Sequence, residues 1–144
     1  MAVVSSETLH ATTVAIDGLA VVIEGASGAG KSDLALRLID RGAVLVADDR
    51  TRVWRDGDRL FAGAPDTISG KLEVRGLGIL DLERVGEVPL ALCVSLGEET
   101  ERLPFPRMRT IAGVDLPELV LDPRPASAPI KVERALLHPD RETA

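Results

Sequence analysis

Residues 25–32 read Gly-Ala-Ser-Gly-Ala-Gly-Lys-Ser and match the pattern G-x-x-x-x-G-K-[ST]. They lie between an apolar run at 19–23 and a helical pattern of apolar residues, so a strand should pass into a helix here. Glycines let backbone N–H groups approach an anion closely, the lysine reaches the outer phosphates, and the serine hydroxyl can bind Mg²⁺. The motif therefore predicts a nucleotide-phosphate loop, with an ordinary glycine-rich turn as the alternative. The predicted phosphate-binding residues are Gly25, Ala26, Ser27, Gly28, Ala29, Gly30, Lys31 and Ser32.

The size and composition of the chain predict one domain over residues 1–144. A chain of 144 residues with 45% hydrophobic content can bury one core and is too short for two. The net charge of −6 and the 2% aromatic content provide neither a basic surface nor stacking platforms, which argues against a nucleic-acid partner. Cys93, the single cysteine, lies in an apolar run and is expected to be a buried, inert thiol.

The apolar runs are about as long as strands and fall short of the roughly 20 residues that a membrane helix needs. The N-terminus also lacks the basic-then-apolar order of a secretory signal. We therefore expect no membrane partner and a cytoplasmic location.

Apolar periodicity and turn residues predict an α/β domain with a mixed, partly antiparallel sheet. Strands at 9–15 and 19–24 flank Asp17-Gly18, a hairpin signal, and a helix over 31–41 ends before Gly42. The other predicted elements are a strand at 44–47, a hairpin of 51–54 and 59–62 flanking Asp56-Gly57, strands at 72–74, 79–80, 89–95 and 119–121, and a helix at 130–137 after the proline-rich residues 123–129.

Two adjacent acids follow the strand at 44–47. Asp48 and Asp49 lie 17 and 18 residues after Lys31, far enough for one helix and one return strand to bring a carboxylate beside the loop, as in a Walker B acid. Because adjacent side chains of an extended strand point to opposite faces, one acid is expected to face the metal. The other would face the reacting hydroxyl or a structural partner. A solvated turn is the alternative.

Three further segments hold candidate residues. Glu73 and Arg75 are two apart and would share one face of a strand, where they could contact Mg²⁺ and phosphate oxygens. A surface ion pair is the alternative for these two. His10, in the first predicted strand, and Arg102, in Glu-Arg-Leu, have no role that the pattern alone assigns.

Four features, taken in order along the chain, resemble the catalytic domain of HPr kinase/phosphorylase. They are His10, the loop at 25–32, Ala-Asp-Asp-Arg at 47–50 and Leu-Glu-Val-Arg-Gly-Leu-Gly-Ile at 72–79. The resemblance covers about residues 7–135 and is greatest to the short, single-domain form of alphaproteobacteria. It implies a P-loop fold of the HPr kinase and phosphoenolpyruvate carboxykinase type. It also implies ATP and Mg²⁺ as cofactors, the phosphocarrier protein HPr as the partner, and a homo-oligomer, in this family a hexamer.

The resemblance assigns roles to most of these candidates. Lys31 would bind phosphate, and Ser32 and Glu73 would bind Mg²⁺. Asp49 would take the proton from the acceptor serine, with Asp48 beside it as a carboxylate that contacts the metal or one of its ligands. His10 would lie near the transferred phosphate, and Arg102 matches the arginine of the family's Asp-Arg-Leu-Gly segment, where Pro104 here replaces the glycine. Arg75 keeps the phosphate contact that its spacing from Glu73 predicts.

One segment departs from the family pattern. The family's Val-Arg-Pro-Gly-Arg-Asn precedes its last helices and is tied to removal of phosphate, whereas residues 123–128 read Pro-Arg-Pro-Ala-Ser-Ala. Phosphorolysis adds an inorganic phosphate to the site and needs an additional cation, so the reverse reaction should be weakened more than the kinase reaction.

Three other functions use the same loop. A small-molecule kinase would need length for a lid and an acceptor domain, which this chain has little of. A nucleotide sensor that partners a signalling protein would not need Asp49 and Glu73. A GTP-dependent switch predicts Asn-Lys-x-Asp and Asp-x-x-Gly, and neither string occurs.

Overall fold

The computed structural model describes residues 5–65, 70–99 and 101–144. Strands outnumber helices in these residues, as expected. The elements are β1 (Ser6–Leu9), β2 (Ala11–Ile16), β3 (Leu19–Glu24), α1 (Lys31–Asp40), β4 (Val44–Ala47), β5 (Thr51–Asp56), β6 (Arg59–Gly63), β7 (Lys71–Val74), β8 (Gly78–Asp81), β9 (Val88–Leu96), β10 (Arg107–Ile111), β11 (Val114–Leu121) and α2 (Ala128–Leu137).

The large sheet is mixed, as the sequence predicts. Its strand order is β1-β5-β6-β9-β3-β2-β4, and β11 pairs with β9 and carries β10. Strands β3, β9 and β11 run parallel, and β4 has the same direction because it is antiparallel to β2, which is antiparallel to β3. The carboxyl ends of these four strands therefore meet at one edge of the sheet, where ligands of open α/β sheets bind. Strands β7 and β8 form a separate hairpin.

The hairpin of β2 and β3 supports the glycine-rich loop. Ile16 pairs with Leu19, and both Asp17 and Gly18 have positive φ, which is the backbone a two-residue hairpin turn requires. Strand β3 is buried on both faces. Val21 and Ile23 pack with α1 and α2, whereas Ala20 and Val22 pack in the cluster that includes residues of β5 and β6.

The structure corrects the first predicted strand. The chain bends at His10, so residues 9–15 are not one strand. Strand β1 pairs with β5, whereas β2 pairs with β3 and β4, and the chain changes partners at the bend. His10 therefore lies at a corner between strands, where its side chain is free of the alternation that a strand imposes.

Other corrections concern element boundaries. Strand β7 ends at Val74, so Arg75 lies in a turn and does not share a strand face with Glu73. Asp56 pairs with Arg59, which places the second hairpin turn one residue later than predicted. Strand β10 was not predicted, and α2 begins two residues early because Pro129 is compatible with the first helical turn.

Within the described ranges, no helix is both long and apolar enough to span a membrane.

Candidate active site

The predicted phosphate loop joins β3 to α1. Gly28 and Gly30 have φ of 83° and 104°, a region that residues with a Cβ rarely adopt. Gly30 is the N-cap of α1, and in the part of the chain that the structure describes no side chain caps this helix. The N–H groups of its first turn lack intrahelical partners, so the loop has the free donors and the positive helix end that bind phosphate.

The Lys31 side chain lies inside the loop and hydrogen-bonds to its backbone. Its Nζ donates hydrogen bonds to the carbonyl oxygens of Gly25 at 2.9 Å and Ala26 at 3.2 Å. The side chain is buried in the loop, with 7% of the residue exposed. Among the residues that the structure describes, no carboxylate pairs with this ammonium group, which can exchange the two carbonyls for phosphate oxygens.

Asp48 is buried, and its side chain connects the serine of the loop to β2 and β7. Its Oδ1 accepts hydrogen bonds from the hydroxyls of Ser32 at 2.8 Å and Thr12 at 2.9 Å. Its Oδ2 accepts one from the backbone N–H of Glu73 at 3.0 Å. A carboxylate that is only 8% exposed needs such donors, because a buried polar group without hydrogen-bond partners costs free energy. The structure therefore brings the acid beside the loop, and the solvated-turn alternative is wrong for Asp48.

Asp49 has a different environment from its neighbour. Its side chain is 65% exposed, and Nε2 of His10 lies 2.9 Å from its Oδ1. The two acids differ as expected, but not because of strand alternation. Strand β4 ends at Ala47, and Asp49 has a φ of 64°. This backbone conformation costs energy for any residue other than glycine, although Asp tolerates it better than most.

Thr12 is a site residue that the sequence analysis missed. Its hydroxyl donates to Asp48 Oδ1 and accepts a hydrogen bond from the backbone N–H of Asp49 at 3.2 Å. The residue is fully buried. Threonine is common in strands, so nothing in the sequence sets Thr12 apart from Thr13.

The remaining candidates lie on exposed segments. Glu73 is near the site because its backbone contacts Asp48, while its side chain is exposed. Arg75 is exposed in the turn between β7 and β8. Arg102 is exposed in the segment before β10. In the described residues, no hydrogen bond or ion pair joins either arginine to His10 or to the acid pair.

An ion pair lies at the end of β3, directly before the loop. Glu24 accepts hydrogen bonds from Nε and Nη2 of Arg109 at 3.0 and 3.1 Å, and from the Cys93 thiol at 3.0 Å. Burial raises the pKa of Glu24, but the hydrogen bonds from Arg109 and Cys93 outweigh it, and the net pKa is lowered. Burial raises the pKa of the Cys93 thiol, and the contact with Glu24 raises it further, so this cysteine is the inert thiol expected.

Few oxygen donors for a metal come together in the described part of the chain. Ser32 and Asp48 lie in contact, and the backbone N–H of Glu73 in β7 bonds to Asp48. Within the described residues, no group of three or more His, Cys, Asp or Glu side chains could hold a metal ion. Mg²⁺ in phosphoryl-transfer sites uses one or two carboxylates and keeps waters and substrate phosphates as its other ligands. The donor set fits that chemistry.

A shallow groove of about 300 Å³ lies elsewhere. Leu19, Leu90 and Leu116 line it, at the end of β3 opposite to the phosphate loop. It is therefore separate from the site described above.

The parallel strand ends, the glycine-rich loop at the start of α1 and the buried acid beside its serine define a P-loop nucleotide-binding domain of the kinase type. Residues 2–125 match the family model described as the HPr Serine kinase C-terminal domain. The chain belongs to this family.

Curated relatives and a solved structure agree with this membership. The chain is 37% identical over 111 residues to "HPr kinase/phosphorylase" of Mycoplasma genitalium. This alignment covers 71% of this chain and 36% of that protein. It is 36% identical over 144 residues to the protein of the same name in Limosilactobacillus reuteri, covering 90% of this chain and 43% of that protein. The chain thus spans less than half the length of these relatives.

The fold is similar to that of the Hpr(Ser) kinase/phosphatase from Coxiella burnetii. The two have a TM-score of 0.78 and 29% sequence identity, and the match covers 94% of this chain and 96% of that chain. The predicted fold type is therefore confirmed.

Proposed function

We propose that this chain is a catalytic domain, formed by residues 1–144, that transfers the γ-phosphoryl group of ATP to a serine of the phosphocarrier protein HPr. The observation that carries the proposal is the pair of acids beside the phosphate loop. Buried Asp48 contacts the loop serine, and exposed Asp49 is held by His10 at 2.9 Å. A domain that only sensed nucleotide would not need a second, accessible carboxylate. The names of the relatives support HPr as the acceptor.

In this proposal, the loop and its lysine bind the triphosphate. Lys31 exchanges the carbonyl oxygens of Gly25 and Ala26 for phosphate oxygens, and the first turn of α1 donates N–H groups. Ser32, Asp48 and Glu73 would hold Mg²⁺, which neutralises charge on the β- and γ-phosphates when bound. Arg75 and Arg102 lie on exposed segments and would contact phosphate oxygens only after those segments close over the nucleotide.

Asp49 is proposed to accept the proton of the acceptor serine. Phosphoryl transfer needs positioning and charge neutralisation more than a strong base, and a carboxylate can accept the proton late, as the new oxygen–phosphorus bond forms. His10 Nε2 orients one oxygen of Asp49 and leaves the other open to the substrate. The exposure of this carboxylate suits an acceptor as large as a folded protein.

The reverse reaction is proposed to be weak. The segment at 123–128 lacks the family's Gly-Arg-Asn, and its one arginine, Arg124, is held by both oxygens of Asp122. That arginine is then a poor donor for an additional phosphate ion. We further propose a homo-oligomer, a hexamer by family resemblance, acting in the cytoplasm.

The test is phosphorylation of purified HPr. Wild-type protein incubated with MgATP should add one phosphate to HPr at a serine, measured by mass spectrometry of the intact protein and its peptides. HPr with that serine changed to alanine is the matched substrate control, and Lys31→Ala is the enzyme control. Phosphate transfer to a metabolite pool but not to HPr would instead support a small-molecule kinase. ATP binding without transfer to either would support a nucleotide sensor.

A further inference from the structure

The sheet order distinguishes two sides of the phosphate loop. Strand β3 has β2 and then β4 on one side, and β9 and then β11 on the other. His10, Asp48 and Asp49 all lie on the β2 and β4 side. If the proposed function holds, the γ-phosphate lies there, and the nucleoside must leave the loop toward the ends of β9 and β11.

The end of β9 and the segment after β11 are packed against the loop itself. The Cβ of Leu96, the last residue of β9, lies 3.2 Å from the position that a Cβ on Gly25 would take. The ring of Pro123 lies 3.6 Å from the position of a Cβ on Gly30. The Gly97 N–H donates to the carbonyl of Leu121 at 2.9 Å and joins the two segments. Leu96, Gly97, Leu121 and Pro123 therefore form one surface beside both ends of the loop, which we call the wall.

Helix α1 fixes this wall in place. Arg37 donates hydrogen bonds to the carbonyl oxygens of Pro123 at 2.6 Å and Pro125 at 3.3 Å. It also pairs with Asp33 one turn earlier on α1, at the i,i+4 spacing that lets side chains meet on a helix. The same helix therefore positions the phosphate loop at its start and the 123–125 segment at its side.

The planar guanidinium of Arg124, which follows Pro123, is exposed to solvent. Asp122 binds its Nε at 3.0 Å and its Nη2 at 2.9 Å, and also accepts the Arg124 backbone N–H at 3.0 Å. These contacts hold the guanidinium by one edge, while 77% of the side chain is exposed. A guanidinium held by its edge keeps both faces available for stacking on an aromatic ring.

The local charge favours a neutral group over another phosphate. Asp122 and Glu99 lie at the wall, and Glu99 accepts the Asp122 backbone N–H. Lys131 is paired with Glu99, Arg124 with Asp122, and Arg37 with Asp33. A base and a ribose suffer no repulsion from these carboxylates, whereas an anion would.

We propose that Leu96, Pro123 and Arg124 form the nucleoside-binding surface, with the Arg124 guanidinium stacked on the purine ring. This inference rests on the proposed function, because it takes the bound ligand to be a nucleoside triphosphate. It gives a role to an arginine whose charge is already neutralised and which follows the proline packed against the phosphate loop.

The test compares MgATP with magnesium tripolyphosphate, which has the phosphates but no base. Isothermal titration calorimetry on the full chain should show Arg124→Ala weakening MgATP binding by roughly 5- to 10-fold, while tripolyphosphate binding is unchanged. Arg124→Lys should weaken MgATP binding as much as Arg124→Ala does, because lysine keeps the positive charge and lacks the planar guanidinium. The control Arg134→Ala removes an exposed arginine near the end of α2 and should change neither affinity.

Several results would overturn the inference. Unchanged ATP affinity in Arg124→Ala, an equal loss of tripolyphosphate binding, or full rescue by lysine would each show that Arg124 does not stack on the base. Wild-type protein that binds tripolyphosphate and not ATP would refute the proposed function as well. Thermal unfolding of each variant checks folding, and the exposure of Arg124 predicts little change.

Discussion

The hydroxyl of Thr12 lies 2.9 Å from the buried carboxylate of Asp48 and at the same time accepts the backbone N–H of Asp49. One side chain of β2 thus fixes both acids that follow β4. Because Asp49 has an unfavourable φ of 64°, its backbone needs a partner to stay in place.

Replacing Thr12 with valine should impair phosphoryl transfer. Thr12→Val keeps the shape and removes the hydroxyl, so the acid pair loses its common partner, and kcat should fall about 10-fold or more with a smaller change in KM for ATP. Thr12→Ser should restore most of kcat. The stability cost should be about 1–2 kcal/mol by denaturant unfolding.

Thr13→Val is the matched control, because Thr13 is equally buried and its hydroxyl bonds with Thr51 instead of the acids. It should cost similar stability and leave kcat unchanged. Equal losses of kcat in both valine variants would mean that Thr12 acts only through stability.

Lys31 and Asp49 should have separable roles. Lys31→Ala should abolish transfer and greatly weaken ATP binding, because the ammonium is proposed to contact the phosphates in both the ground state and the transition state. Asp49→Asn should abolish transfer and leave ATP affinity nearly unchanged, since the proposed proton acceptor is lost and the loop is intact. Calorimetry and a phosphotransfer assay measure the two properties. Equal loss of ATP binding in the two variants contradicts this division.

The Glu24 ion pair should make stability depend on pH in acid. The pKa of Glu24 is lowered in the folded protein, so its stabilisation is present above the unfolded pKa of about 4.3 and is lost as the pH falls through the folded value. Glu24→Gln should therefore cost about 1–2 kcal/mol of unfolding free energy at pH 7, and less as the pH drops below about 4.

Asp81→Asn is the control for this measurement. Asp81 forms an exposed pair with Lys71, and such pairs contribute about 0–1 kcal/mol. A Glu24→Gln penalty that stays constant from pH 7 to pH 3 would show that the pair does not stabilise the folded state electrostatically.

Cys93 should react slowly with thiol reagents in the folded protein. Burial raises the pKa of its thiol, so little thiolate forms near neutral pH, and the side chain is inaccessible. Iodoacetamide should label the protein at pH 8 only after denaturant is added, as followed by intact mass. Stoichiometric labelling of the native protein, at the rate seen in denaturant, would show that the strand opens readily.

The sequence by itself determined the local units of the site. The glycines of the loop, the apolar spacing of α1 and the Asp17-Gly18 turn each specify backbone geometry from neighbouring residues, and all three occur as predicted. The acid pair was also identified from its distance to Lys31. These features depend on short-range sterics and hydrogen bonds, which a few adjacent residues encode.

Only the tertiary structure decided which side chains meet. Thr12 contacts Asp48 across 36 positions, and the bend at His10 exists because β1 and β2 join different strands. Pro123 comes beside the loop because β11 pairs with β9. Such contacts follow from strand order and register over the whole sheet, and no single segment contains the information that sets them.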